Sequence, residues 1–200
     1  MKNRTRLFTS LAAVAVLVAG LLVQQGDVGA ASLTSKITVL VSATLSNVLD
    51  LGSTVQAPLV SQPTQSFANG VGANQANVLW FDTRTLAPST TDSLDFAAGG
   101  LVDAFGATVA PAKVRGVIIT AATANTQNIT LFGDAAQIPL QTACTTGTST
   151  VILQPGGIFV FTAPATAGVA VTATTADIIK IANGAGTSVT YSIVLIGTSS

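Results

Sequence analysis

From residue 36 onward the chain is a succession of short runs rich in Val, Ile, Thr and Phe, cut by Gly, Pro and Asn. After residue 31 no stretch carries a convincing helical period. This pattern constrains the fold more than any motif does. Branched and aromatic side chains fit a pleated, half-buried surface, and short runs at regular spacing build sandwiches or barrels. Residues 36–45 (KITVLVSATL) alternate, placing Ile37, Val39 and Val41 on one face, and 48–51 form a second short run. Residues 52–77 read as loop, with Pro58, Pro63, Gly70 and Gly72. Further strands are expected at 78–84 (VLWFDTR), 93–97, 114–122, 128–132, 150–153, 158–162 and 169–173. Pro155-Gly156-Gly157 marks a tight turn. Residues 178–182 and 188–196 read as a final hairpin joined by Asn183-Gly184-Ala185-Gly186. Roughly nine or ten short strands with no helix predict an all-β, antiparallel β-sandwich of jelly-roll type over residues 32–200.

Residues 1–31 are a separate unit, a signal peptide or anchor segment. Lys2, Arg4 and Arg6 precede an apolar stretch at 11–23 (LAAVAVLVAGLLV), and Val28-Gly29-Ala30 forms a small-residue cleavage pattern. Cleavage is expected after Ala30 or Ala31. The apolar stretch is shorter than the about 20 residues that span a bilayer comfortably. The competing reading is an uncleaved hydrophobic helix, with membrane contact only through residues 7–23.

The chemistry available to the rest is narrow. The chain has no histidine and no glutamate, and charged residues are 8% of it. Histidine is the usual general base and the commonest metal ligand near neutral pH. Phosphate neutralisation needs a basic stripe, and none is present, so nucleic-acid binding is not expected. No catalytic or cofactor-binding residue and no cofactor is indicated. Cys144, the single cysteine, has no partner within the chain and reads as a buried small apolar residue, the alternative being a bridge between subunits.

Asp92 and Asp95 are a close carboxylate pair, but among Ser and Thr they read as turn caps. Asp82 and Arg84, two apart on a strand, share a face and suit a structural ion pair. A calcium site would have to combine distant loops, using Asp103 or Asp134 with backbone carbonyls. Asn128-Ile129-Thr130 fits a glycosylation sequon that the bacterial-looking leader makes a chance match. Thr172 and Thr174 hint at an ice-binding array, which would require a coil repeat that the chain lacks. Trp80 and Tyr191 are the candidates for contact with a partner or a glycan, having apolar rings and polar tips.

Five collinear stretches resemble a family of small virion-associated structural proteins of tailed bacteriophages and prophages. They are 43–52 (ATLSNVLDLG), 67–85 (FANGVGANQANVLWFDTRT), 93–109 (SLDFAAGGLVDAFGATV), 113–128 (KVRGVIITAATANTQN) and 152–199, which includes LQPGGIFVFTAP. Each is a strand-and-turn signature, and their shared order across nearly all of the mature chain carries the resemblance. It implies a non-enzymatic particle component, such as a capsid decoration, head-fibre or tail-associated protein, and it transfers no catalytic residue. The leader at 1–31 departs from the family's pattern. The resemblance then implies either recruitment for secretion or a particle assembled at or outside a membrane.

The expectation is a homo-oligomer, or a subunit among other virion or surface subunits, exported to a virion or cell exterior. Its Thr-rich, charge-poor faces would be buried between subunits. The alternative is a secreted adhesion or carbohydrate-binding module.

Overall fold

The computed structural model describes residues 32–48, 54–98, 100–133, 140 and 149–199. The expected leader at 1–31, together with Asp134 and Cys144, lies outside the described residues. The described chain is all-β and mostly antiparallel.

Two sheets form the body. The first has the order β11-β8-β14-β6, built from β6 (Val78–Leu86), β8 (Lys113–Ala121), β11 (Ile158–Thr162) and β14 (Val189–Thr198). A short β12 (Val169–Ala170) adds to β8. The second has the order β10-β9-β13-β7, built from β7 (Thr91–Asp95), β9 (Ile129–Phe132), β10 (Thr150–Leu153) and β13 (Ile178–Asn183). All their pairings are antiparallel.

Side-chain alternation explains the packing. On β14, Val189, Tyr191, Ile193 and Leu195 point to the core, and Thr190, Ser192 and Val194 to the other side. Val117, Ile119 and Ala121 of β8 and Trp80 of β6 join them. The second sheet contributes Leu94, Ile129, Leu131, Leu153, Ile179 and Ile181 to the same cluster. One apolar core between two antiparallel sheets is consistent with a β-sandwich.

Two expected strands keep their bounds, 150–153 and 158–162, while those expected at 78–84, 93–97, 114–122, 128–132, 169–173, 178–182 and 188–196 form with ends shifted by one to three residues. Three further expectations change. The final hairpin does not form: β13 pairs with β7 and β9, while β14 pairs with β6 and β8 in the other sheet. Each strand has an apolar face long enough to need a different set of neighbours, so the turn between them crosses from sheet to sheet. Asn183 holds that crossing. Its buried Nδ2 donates to the carbonyls of Leu86 (3.2 Å), Ala87 (2.9 Å) and Thr187 (2.9 Å).

The second change concerns 52–77, expected to be loop. It contains β3 (Thr54–Ser61), β4 (Thr64–Asn69) and β5 (Gln75–Ala76). Pro58 is tolerated in β3 because that strand has one neighbour and needs no donor on its free side. The expected strand at 36–45 divides into β1 (Ser35–Thr38) and β2 (Val41–Val48). β1 pairs with β4, and β2 pairs with β3 in a two-stranded ribbon. The β1-β4-β5 sheet sits on the outer face of the first sheet through Ile37, Phe67, Ala76 and Ile196. Gly116 permits that approach, since a Cβ there would lie 2.8 Å from Ile37 Cδ1.

Candidate functional site

The densest polar cluster ties the two sheets together along one open side. β6 and β7 are edge strands, one in each sheet. Arg84 of β6 donates through Nη1 to both carboxylate oxygens of Asp92 on β7, at 3.1 and 3.0 Å. Its Nε donates to Asp82 Oδ2 at 2.8 Å. Tyr191 of β14 donates from Oη to Asp92 Oδ2 at 2.6 Å. The guanidinium lies 5.7 Å from the Trp80 ring centroid, and Trp80 meets Phe96 edge to face at 6.2 Å.

These contacts set the ionisation of the cluster. Burial opposes the charge on Arg84, but the hydrogen bonds to Asp82 and Asp92 overcome it and hold its pKa above that of a free guanidinium. Burial, then the hydrogen bond to Asp92 and that residue's charge, push the Tyr191 hydroxyl well above its ordinary 10.0. Tyr191 is therefore a fixed donor, and the cluster acts as a clasp between the sheets.

Trp80 is 2% exposed and Tyr191 is 0% exposed. A ring that contacts a glycan or partner must be reachable from solvent, and both of these face the core. Their position replaces the expectation from sequence. The alternation of VLWFDTR aims Trp80 inward with Asp82 and Arg84, and Tyr191 falls on the inward parity of β14. Among the described residues the exposed aromatics are Phe81 and Phe105, with Phe159 and Phe161 half-buried.

The other candidates take local roles. Asp95 Oδ1 accepts from the amides of Ala97 and Ala98, each at 2.8 Å, which is a turn cap. Asp92 instead bonds to Arg84 and Tyr191, so the pair serves separate partners. Asp103 Oδ1 accepts from the amides of Phe105 and Ala107, both at 2.9 Å, closing its own turn. Thr172 and Thr174 lie in a tight turn rather than on a flat array, with Thr172 bridged to Ala176. Thr174 N donates to Asp177 Oδ2 at 2.6 Å. An open hollow of about 220 Å³ lies beside Asp95, Ala97, Thr174 and Asp177. Among the described residues no three His, Cys, Asp or Glu side chains gather as a metal would require.

A different surface stands out. The outer face of the first sheet carries cross-strand rows fixed by register. Phe81, Val194, Ile118 and Val160 follow one another across β6, β14, β8 and β11. The next row is Thr83, Ser192, Thr120 and Ile158. Hydroxyls pair along it, Thr83 with Ser192 at 2.9 Å, and Thr85 pairs with Thr190 at 3.0 Å. None of these positions is charged. Phe81 is 58% exposed, with Leu79 exposed on the same strand. Ile158 and Val160 are exposed on β11 at the far edge. Val194 and Ile118 between them are half-buried, Ile118 against the β1-β4-β5 sheet. Strand alternation could have revealed this face, since Leu79 and Phe81 have opposite parity to Trp80.

Comparison with family models, with curated proteins and with solved structures found no match.

Proposed function

We propose that this chain is a non-enzymatic structural subunit of an extracellular assembly or virus particle. The observation that carries the reading is the charge-free outer face of the first sheet, with its apolar row from Phe81 to Val160. Isolated soluble proteins seldom leave such a row open, and its usual use is contact with another subunit. Hydroxyl rows flanking it suit a dry contact without ion pairs.

The fold we infer is a jelly roll. The support is the strand order. Folding the chain at the β9–β10 pair lays β8 beside β11, β7 beside β13 and β6 beside β14, all antiparallel. That is one long ribbon wrapped into two four-stranded sheets, the arrangement common in capsid and lectin domains. The resemblance of 43–52, 67–85, 93–109, 113–128 and 152–199 to phage virion-associated proteins supports the particle over other assemblies. The pattern of 1–31 supports export, with 32–200 as the mature domain.

The test is fractionation of culture fluid from cells that express the intact gene. The chain is expected in sedimentable particles, where antibody-gold should decorate a regular surface, and its amino terminus should begin near residue 31 or 32. Recovery solely as free chain, with undecorated particles, would contradict the reading.

A further inference from the structure

We propose that the β2–β3 hairpin is an exchange arm, whose apolar face covers the exposed part of the row from Phe81 to Val160 on the first sheet of a second copy of this chain. The inference deepens the structural-subunit reading and rests on it.

The arm has two unlike faces. Paired residues share a face, and the register is Val41 with Ser61, Ala43 with Leu59, and Leu45 with Ala57. Val55 continues the same face. The opposite face holds Ser42, Thr44, Ser46, Gln56, Pro58 and Val60. A period-two alternation of this kind marks a strand with one face to bury. Yet every described side chain of both strands is exposed, Leu45 by 75% and Leu59 by 56%. An isolated two-stranded ribbon is at best marginally stable in water. The alternation therefore points to a cover outside the single chain.

The arm's own body does not provide it. The ribbon continues the β1–β4 ladder across the junction, where Val39 N donates to Pro63 O at 3.1 Å. Folding the arm back would break that ladder. The eight residues of each arm strand instead carry the apolar face outward for about 27 Å.

A second copy fits for three reasons. Its receiving row is uncharged, and so is every residue of β2 and β3. A charged or nucleic-acid partner would find nothing to pair with. The arm's root already sits on this same outer face, through Ile37 and Phe67 against Ile196. An incoming arm would extend a packing that the fold uses within one chain. The area is also adequate. Covering Val41, Leu45, Val55 and Leu59 with the intervening alanines removes on the order of 400 Å² from water. Reciprocal exchange counts that area on two arms and two receiving faces, about 1,600 Å² in total, which is the size of a standard stable interface.

Sedimentation velocity on the purified full protein and three variants tests this. Leu45→Asp with Leu59→Asp, and separately Phe81→Asp, are each expected to weaken self-association at least about a hundredfold. Thr44→Asp with Ser46→Asp charges the opposite face of the arm and is expected to change it less than about threefold. The buried Trp80 reports by fluorescence that the body is folded in each variant. A photo-crosslinker at Leu59, in a mixture of light and heavy isotope copies, should join arm peptides of one copy to peptides with Phe81 or Val160 of another. If the protein associates but the arm variants associate equally well, or if cross-links reach another surface, the arm is overturned while the subunit reading stands. A protein that stays monomeric at high concentration overturns both.

Discussion

Tyr191 is the single tyrosine of the chain, so its proton can be followed without interference. Its hydroxyl is buried and donates to Asp92 at 2.6 Å. In the unfolded chain it should ionise near 10.0, and in the native state well above that. Above pH 10 the unfolded state therefore releases a proton that the native state keeps. Stability from this group is complete below pH 10 and declines by about 1.4 kcal/mol per pH unit as pH rises toward the native value. By pH 12 the loss is roughly 2–3 kcal/mol, a large share of a typical 5–15 kcal/mol. Tyr191→Phe removes this loss but gives up a hydrogen bond to a charged group, worth about 1 kcal/mol once Arg84 still serves Asp92. Wild type should be the more stable up to about pH 10.5–11, where the curves cross, and the variant above that. Denaturant titrations at stepped pH, followed by Trp80 fluorescence, give the curves. Tyrosinate absorbance should rise only together with unfolding. Tyrosinate forming near pH 10 while Trp80 stays native would refute the burial and the clasp together.

Arg115 is 0% exposed, and its Nη2 donates to the carbonyls of Val71, Gly72 and Thr166. Arg115→Met should cost about 1–3 kcal/mol in urea denaturation and expose the segments around these carbonyls to protease; unchanged cleavage would contradict that clip. Asn183→Ala strands the three carbonyls that its amide serves and should cost about 2–3 kcal/mol, whereas a loss under about 0.5 kcal/mol would mean the crossing holds without it.

The strands at 150–153 and 158–162 were legible because period-two alternation and a Pro-Gly-Gly turn bound them on local information. Partner choice was not local. β13 and β14 look like a hairpin in sequence, but the second sheet offers Leu94 and Leu131 to the apolar face of β13, and the first offers Trp80 and Val117 to that of β14. The arm was hidden by Pro58 and by the loop-like composition around it, since a strand with one neighbour admits a proline whose nitrogen faces its free side. Aromatic identity suggested Trp80 and Tyr191 as contacts, and strand parity turned both inward. The same parity turned Phe81 outward, where the proposed interface lies.

The central claim is that this chain works assembled, through an uncharged face that a single copy leaves partly uncovered. Its most direct test is the mass of the purified domain 32–200 in solution across a wide concentration range. The expected result is a defined oligomer that persists at high salt, because the contact contains no ion pairs. A monomer at every concentration, or an oligomer that dissociates as salt is raised, would contradict the account.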